Sequence, residues 1–247
     1  MRDGHIHSPY CPHGSSDRFE QYIKKAIEVG VMVMTFTEHF PLPKNFKDPS
    51  PENDSAISED HLLAYFNELK ELKEKYKHNI KINIGVEVDY IEGYEKEIKE
   101  MLDKYGEYID DSILSVHMIK INDEYHLIDY SPEKFGELVD LLGSIENVYY
   151  KYYDTVKMAV NSDLGRYKPR RIGHLNLVRK YNKIYPYDYR GNEKLEEIVR
   201  IVKSKDYELD FNVSGYRKPY CNEAYIDGYL LKLVRDYNVK TILGSDS

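Results

Sequence analysis

A repeated alternation of short β-branched runs with longer segments of helical periodicity is the feature that most constrains the fold. The short runs have the continuous apolar character of buried strands, and in the longer segments apolar residues recur every three or four positions. Seven runs fit the strand pattern, namely Asp3–His7, Val31–Thr37, Ile80–Val88, Ser112–His117, Arg171–His174, Tyr207–Val213 and Val239–Leu243. Because such alternation is typical of parallel β/α architecture, the sequence predicts an α/β fold with a parallel sheet.

Two of the intervening segments, Asp17–Val29 and Ser58–Tyr76, have clear amphipathic patterns and are predicted to be helices. The stretch Pro41–Ala56 has prolines at positions 41, 43, 49 and 51, which excludes a helix there. It is also long for a simple connection. Two interpretations stay open, a lid or substrate loop and an ordered surface excursion.

Length, composition and charge favour a single domain with a small-molecule partner. Its 247 residues, 41% of them hydrophobic, suffice for one barrel-sized domain, and no linker or repeat divides residues 1–247. A net charge of -8 disfavours binding to nucleic acid or to an anionic membrane. Cys11 and Cys221 are too few for a disulfide framework, and we find neither a signal peptide nor an apolar run of roughly 18 residues. We therefore expect a cytoplasmic protein.

Polar side chains of the metal-ligand type stand at the ends of the predicted strands. They are His5, His7, Glu38, His39, Glu87, Asp89, His117, His174 and Asp246. Since the carboxyl ends of barrel strands meet at one rim, these side chains are expected to share one cleft. His13 follows in a Pro/Gly turn and is a further candidate. The other histidines, His61, His78 and His126, are predicted to be ordinary surface residues.

The residue types in this set point to metal ions. His5 and His7, two residues apart in an extended chain, point to the same side, and imidazole is a common ligand of Zn and Fe. Glu87 lies within an apolar strand, where a carboxylate is costly to bury without a compensating cation. Six histidines with carboxylates exceed the needs of one tetrahedral ion. We therefore expect two to three divalent ions, Zn, Fe or Mn, and metal-assisted hydrolysis.

Two arginines indicate a phosphate-bearing substrate. Arg179 and Arg217 lie just beyond strand-end motifs, and a guanidinium group matches two phosphate oxygens. For Arg179, a solvated helix residue is an equally good interpretation. For Arg217, which follows a buried strand in a turn, we favour phosphate binding.

Eight motifs in order along the chain resemble the polymerase-and-histidinol-phosphatase (PHP) superfamily. They are HIH at 5–7, CPHG at 11–14, TEH at 37–39, GVEVDY at 85–90, SVHMI at 115–119, IGHLNLVRK at 172–180, NVSGYRK at 212–218 and GSDS at 244–247. Within that superfamily, CPHG, GHLNLVRK and SGYRK look like the monofunctional histidinol-phosphate phosphatases. The resemblance implies a distorted seven-stranded parallel β/α barrel of TIM-like type.

The resemblance also implies a trinuclear metal centre, with ligands carried over motif by motif. One ion would be held by His5, His7, Glu87 and Asp246, and a second by Glu87, His117 and His174, with Glu87 as the bridge. His13 and His39 would hold the third. The family pattern continues with a histidine after Asp246 and a last helix, whereas this chain ends at Ser247. We therefore expect a truncated C-terminal end and a third site that lacks one ligand.

The leading hypothesis is a metal-dependent phosphomonoesterase that hydrolyses L-histidinol phosphate in histidine biosynthesis. Water would attack phosphorus directly, Arg179 and Arg217 would bind the phosphoryl oxygens, and Asp246 or a site histidine such as His174 would manage the proton. One alternative is a phosphatase or phosphodiesterase of the same superfamily that acts on another small phosphate ester or on nucleotide ends. Another is a metal-binding barrel without turnover.

Overall fold

The computed structural model describes residues 1–247 and contains nine strands and seven helices. The strands are β1 (Arg2–Ile6), β2 (Val33–His39), β3 (Lys81–Asp89), β4 (Asp111–Ser115), β5 (Met118–Ile121), β6 (Glu124–Leu127), β7 (Arg171–Ile172), β8 (Glu208–Asn212) and β9 (Lys240–Gly244). The helices are α1 (Phe19–Glu28), α2 (Glu59–Tyr76), α3 (Glu95–Tyr105), α4 (Pro132–Leu142), α5 (Ile145–Asn161), α6 (Glu193–Ser204) and α7 (Gly228–Asp236).

Seven strands form one parallel sheet in the order β1-β2-β3-β4-β7-β8-β9. The two outer strands meet through the residues that follow β9. Asp246 donates its backbone N–H to the carbonyl of His5 at 2.7 Å, and His7 donates to the carbonyl of Ser247 at 2.9 Å. The sheet is thus a nearly closed barrel, which confirms the predicted seven-stranded α/β architecture.

The strand boundaries shift slightly from the predicted ones, with a consequence for the site. β2 covers residues 33–39 instead of 31–37, so that Glu38 and His39 are the last residues of the strand itself. β7 keeps only Arg171 and Ile172, because the chain then turns through a short 3-10 segment at residues 177–179. The candidate ligands therefore project from strand ends or from the residues directly after them.

An antiparallel hairpin, β5–β6, was not predicted. Its two-residue turn, Asn122–Asp123, has φ angles of 48° and 66°, as a tight hairpin turn requires. His126 lies half-buried on β6, where its Nε2 is shielded and has no partner, so it is less exposed than predicted. His61 and His78 are exposed, as predicted.

The helices surround the barrel and bury one stripe each. In α2 this stripe consists of Leu62, Tyr65, Phe66, Leu69 and Leu72, at the spacing that the sequence predicted. The helix begins after Ser58, whose side chain accepts the backbone N–H of His61. None of the seven helices is both long and apolar enough to cross a bilayer.

Candidate metal centre at the carboxyl end of the barrel

Glu87 on β3 is the centre of the cluster, and its side chain is 1% exposed. One carboxylate oxygen, Oε2, lies 3.3 Å from His5 Nε2 and 3.6 Å from His7 Nε2. Asp246 stands beside the same pair, with Oδ1 3.1 Å from His7 Nε2 and 3.9 Å from His5 Nε2. The structure therefore brings together the four residues predicted to hold one ion.

The other carboxylate oxygen, Oε1, faces a second pair of imidazoles. It lies 3.0 Å from His174 Nε2 and 3.6 Å from His117 Nε2, and it accepts the hydroxyl of Ser115 at 2.6 Å. The two ring nitrogens are 3.1 Å apart. Glycine at position 173 leaves room for the Ser115 side chain, because a Cβ atom there would lie 2.0 Å from Ser115 Oγ.

The donor geometry suits divalent cations. Within each of two groups, His5–His7–Glu87 and Glu87–His117–His174, the possible ligand atoms lie within 4.8 Å of one another. In the second group both Nε2 atoms point at one carboxylate oxygen and at each other. A cation between such atoms would use lone pairs that otherwise face one another, and imidazole with carboxylate is a donor set that Zn, Fe and Mn accept.

Two buried carboxylates fix the orientation of these histidines. The sequence placed Asp89 among the polar residues at the strand ends without a specific role, and it did not single out Asp210. Asp210 on β8 accepts from His5 Nδ1 at 2.7 Å, and Asp89 accepts from His117 Nδ1 at 2.6 Å. With Nδ1 engaged in this way, the Nε2 lone pair of each ring is left for a metal ion. The signal for Asp210 was a charged residue in the middle of an otherwise buried strand.

Asp246 is held by two neighbours at the end of β8. Its Oδ2 accepts from Asn212 Nδ2 and from the Ser214 hydroxyl, both at 2.9 Å. The backbone before it must be glycine, because a Cβ atom at Gly244 would lie 2.2 Å from Asp210 Oδ1. The carboxylate is therefore positioned by the packing of β8 against β9.

Mutual charge dominates the ionisation of this cluster. Burial alone would raise the pKa of Glu87, but the charges of His5 and His117 and a hydrogen bond from His174 hold it well below its ordinary value. Burial opposes protonation of His117, yet the carboxylates of Asp89 and Glu87 raise its pKa to about 10. The carboxylates therefore stay ionised and attract positive charge. In this structure the protonated imidazoles provide that charge.

The residues expected to hold a third ion are only partly assembled. His39 stacks on His7 with ring centroids 4.6 Å apart, and its Nδ1 lies 3.6 Å from Glu87 Oε2. Cys11 lies next to this pair. His13 belongs to none of the groups of ligand atoms, because its Nε2 pairs with Asp54 Oδ2 at 3.1 Å and its side chain is 52% exposed.

A cavity of about 530 Å³ opens over the metal centre. Glu87, His117, His174 and Asp246 form part of its wall. The Pro41–Ala56 stretch supplies another part, through Ser50, Glu52, Asp54 and Ser55. This placement favours the interpretation of the stretch as a substrate loop.

The two predicted phosphate-binding arginines do not line this cavity. Arg179 pairs through Nε and Nη2 with the carboxylate of Glu223 and stacks on the Tyr189 ring, 4.4 Å from its centroid. Arg217 is exposed and donates to the carbonyls of residues 245 and 246 at 2.7 and 3.0 Å. Each guanidinium is thus engaged in holding the chain beside the site.

Lysines stand next to both arginines in the sequence and reach the cavity wall instead. Lys180 follows Arg179 in the short 3-10 segment after His174, and it donates to Asp129 Oδ2 at 2.9 Å. Lys218 follows Arg217 after β8. Phosphate binding by Arg179 and Arg217 therefore stays a prediction, and the lysines beside them are further candidates.

Comparisons with known proteins identify the family of the chain. The PHP domain model matches residues 3–214. A histidinol-phosphatase from Bacillus subtilis is 43% identical over 250 residues, which cover 100% of this chain and 92% of the relative. A crystal structure named as a histidinol phosphatase from Listeria monocytogenes superposes with a TM-score of 0.96 at 35% identity, covering 100% of this chain and 95% of the other.

A second solved structure carries ligands. It is histidinol phosphate phosphatase from Lactococcus lactis in complex with Zn, L-histidinol and phosphate, with a TM-score of 0.70 and 26% identity over 100% of this chain and 85% of that one. The chain belongs to the PHP domain family. Within that family, the relatives that it resembles over its whole length are histidinol-phosphatases.

Proposed function

We propose that this protein is a metal-dependent phosphomonoesterase that hydrolyses L-histidinol phosphate to L-histidinol and phosphate, as a step of histidine biosynthesis. The observation that carries the proposal is one buried carboxylate, Glu87, shared by two groups of imidazoles beneath an open cavity. The 43% identity to a histidinol-phosphatase over the full chain supports the same substrate.

The metal centre is proposed to hold two to three divalent ions. His5, His7, Glu87 and Asp246 would hold one, and His117 and His174 would hold a second with Glu87 as the shared ligand. His39 would contribute to a third, with His13 if that residue leaves Asp54. Divalent ions bound there would supply Lewis acidity toward the phosphoryl oxygens and would lower the pKa of water.

The side chains of this chain supply the rest of the reaction. Lys180 and Lys218 attract the phosphate group into the cavity, while Arg179 and Arg217 hold the loops that carry them. Water attacks phosphorus, the ester bond to the alcohol breaks, and the leaving alkoxide takes up a proton. The proton that the attacking water loses would pass to the leaving alkoxide through the Asp246 carboxylate or through His174, whose Nδ1 has no partner; both residues line the cavity.

The remaining properties follow from charge and composition. One barrel sheet runs from residue 2 to residue 244, in keeping with a single catalytic domain over residues 1–247. A net charge of -8 supports a small-molecule partner over nucleic acid. Two cysteines, both free, fit the reducing cytoplasm as the proposed location.

The test is phosphate release by the purified protein, stripped of metal and reloaded with Mn²⁺, Zn²⁺ or Fe²⁺. L-histidinol phosphate is compared with p-nitrophenyl phosphate, a nucleoside monophosphate and a short single-stranded DNA. We expect kcat/KM to be highest for L-histidinol phosphate by at least about a hundredfold. Preference for a nucleotide or DNA would indicate the other phosphatase or phosphodiesterase, and bound metal without any phosphate release would indicate a barrel without turnover.

A further inference from the structure

The carboxylates on the cavity wall differ in their partners. Glu87 and Asp246 face the imidazoles of the metal centre. Three others pair with a basic side chain, namely Asp89 with His117, Asp129 with Lys180 and Asp54 with His13. Glu52 is the remaining carboxylate of the wall, and it has no basic partner.

Neutral donors hold Glu52 in place. Both of its oxygens accept from the Tyr130 hydroxyl at 3.1 Å, and the Ser50 hydroxyl lies 3.3 Å from Oε2 while it donates to Asp54 Oδ1 at 2.7 Å. These donors orient the carboxylate but leave its negative charge uncompensated. A ligand that enters the cavity therefore meets an exposed carboxylate that has no basic partner.

The loop that carries Glu52 is itself braced. Asp48 accepts the backbone N–H of Ser50 at 2.8 Å, and it accepts the Ser55 hydroxyl at 2.7 Å and the Ser55 backbone N–H at 3.0 Å. These bonds tie the two sides of the turn that presents Glu52. The carboxylate thus belongs to an ordered part of the wall, as a residue that selects a substrate must.

Opposite charges divide the cavity. The ions proposed for the metal centre and Lys218 attract the phosphate group of a monoester, and Glu52 in the loop at residues 50–55 offers a carboxylate without a basic partner. A substrate that satisfies both ends carries an anion and a cation on one small skeleton. An alkyl ammonium group fits this requirement at neutral pH, whereas an imidazole is largely uncharged there.

We propose that Glu52 binds the primary ammonium group of the substrate and selects phosphate esters of amino alcohols over esters without an amine. This inference rests on the proposed function, because it names the part of L-histidinol phosphate that the loop recognises. Glu52 acts in binding, so its contribution belongs to KM, and the chemical step at the metal centre is left to other residues.

The experiment combines one substitution in the protein with one change in the substrate. Glu52→Gln removes the charge and keeps the shape, and 3-(imidazol-4-yl)propyl phosphate is L-histidinol phosphate without its amine. Kinetics are measured for both proteins on both substrates. Glu124→Gln is the matched control, because Glu124 is exposed, has no ion pair and lines a neighbouring cavity instead.

We expect Glu52→Gln to raise KM for L-histidinol phosphate about tenfold, with kcat changed by less than about twofold. KM for the amine-free ester should stay the same, so that the preference of the native protein for the amine disappears. Glu52→Asp, which keeps the charge on a shorter side chain, should restore part of it. Glu124→Gln should behave as the native protein.

Equal effects of Glu52→Gln on both esters, or no effect on either, would overturn the assignment while the phosphatase function stands. If the metal-loaded native protein releases no phosphate from L-histidinol phosphate, the proposed function fails and the assignment fails with it. Circular dichroism of each variant separates a loss of fold from a loss of recognition.

Discussion

Charged groups are buried at both ends of the barrel, but they are arranged differently. At the amino end, Asp111 accepts from Arg171 at 3.0 Å, from Arg2 at 2.8 Å and from the Thr35 hydroxyl at 3.1 Å. Arg171, only 2% exposed, also donates to the carbonyl of Gly4. At the carboxyl end, imidazoles and carboxylates converge on Glu87 beneath a cavity.

The difference shows which buried charges indicate function. The charged groups at the amino end pair with one another and connect the first residues of β1, β4 and β7. Those at the carboxyl end aim their free lone pairs at common points that small ions and ligands can reach through the cavity. Convergence and access, more than burial, therefore mark the site.

Replacing the shared carboxylate should have the largest effect. Glu87→Ala removes the ligand common to both groups, so phosphate release should fall more than about a thousandfold and bound metal should decrease. The fold should persist, because the removed charge lies among imidazoles that can lose their protons. Phosphate release gives the rate, elemental analysis gives the metal content, and circular dichroism shows whether the fold persists. A Glu87→Ala protein with native metal content and rate would exclude the shared-ligand arrangement.

At the opposite end, Arg171→Met should affect stability and spare catalysis. Asp111 would keep only a half-exposed arginine and a hydroxyl, and the cost in free energy of unfolding should be about 3 kcal/mol. Chemical denaturation measures this cost, and kcat per folded molecule should remain native. The matched control is Arg2→Met, whose side chain is 37% exposed and should matter by less than about 1 kcal/mol. A strong loss of kcat in Arg171→Met would contradict the claim that the amino end serves stability and the carboxyl end serves catalysis.

Asp210→Asn should weaken metal binding without removing a ligand. The amide accepts less strongly from His5 Nδ1, so affinity for Zn²⁺ should fall about 10–100-fold while binding stoichiometry is unchanged. A competition titration with a chromophoric chelator measures the affinity. Asp206→Asn provides the control, because Asp206 is an exposed carboxylate paired with Lys240. Identical affinities for the two variants would count against the orienting role of Asp210.

The smallest expected effect is a dependence of stability on acid pH. Burial would raise the pKa of Asp129, but the charge of Lys180 and that of His117 lower it from 3.8 to about 2. The unfolded chain therefore binds a proton first, and this ion pair contributes about 2 kcal/mol above pH 4 that is lost as the pH falls from 4 toward 2. Denaturation curves of native and Asp129→Asn protein should converge across that interval. Curves that stay parallel would show that the pair contributes no such linkage.

Much of the fold and of the metal centre could be predicted from the sequence, because both depend on patterns of neighbouring residues. The strand runs and the polar residues at their ends are local features, and the barrel brings them together. The pattern does not determine the directions and the partners of the side chains. Arg179 and Lys180 are adjacent in a turn, and only the turn geometry decides which of them faces the cavity.

Two further features of the site could not be predicted from the sequence, because they depend on tertiary contacts. Asp210 acts through His5, which is 205 residues away in sequence, and no local pattern announces that pairing. Glu52 is one of several acidic residues in a proline-rich loop, and it becomes distinct only when the partners of the other cavity carboxylates are known.

A metal titration of the stripped protein, with phosphate release from L-histidinol phosphate as the signal, tests the central claim most directly. If the residues around Glu87 hold ions that act together, activity should appear only after more than one metal equivalent per chain has bound. Full activity at a single equivalent, or activity that persists in excess chelator, would contradict the account.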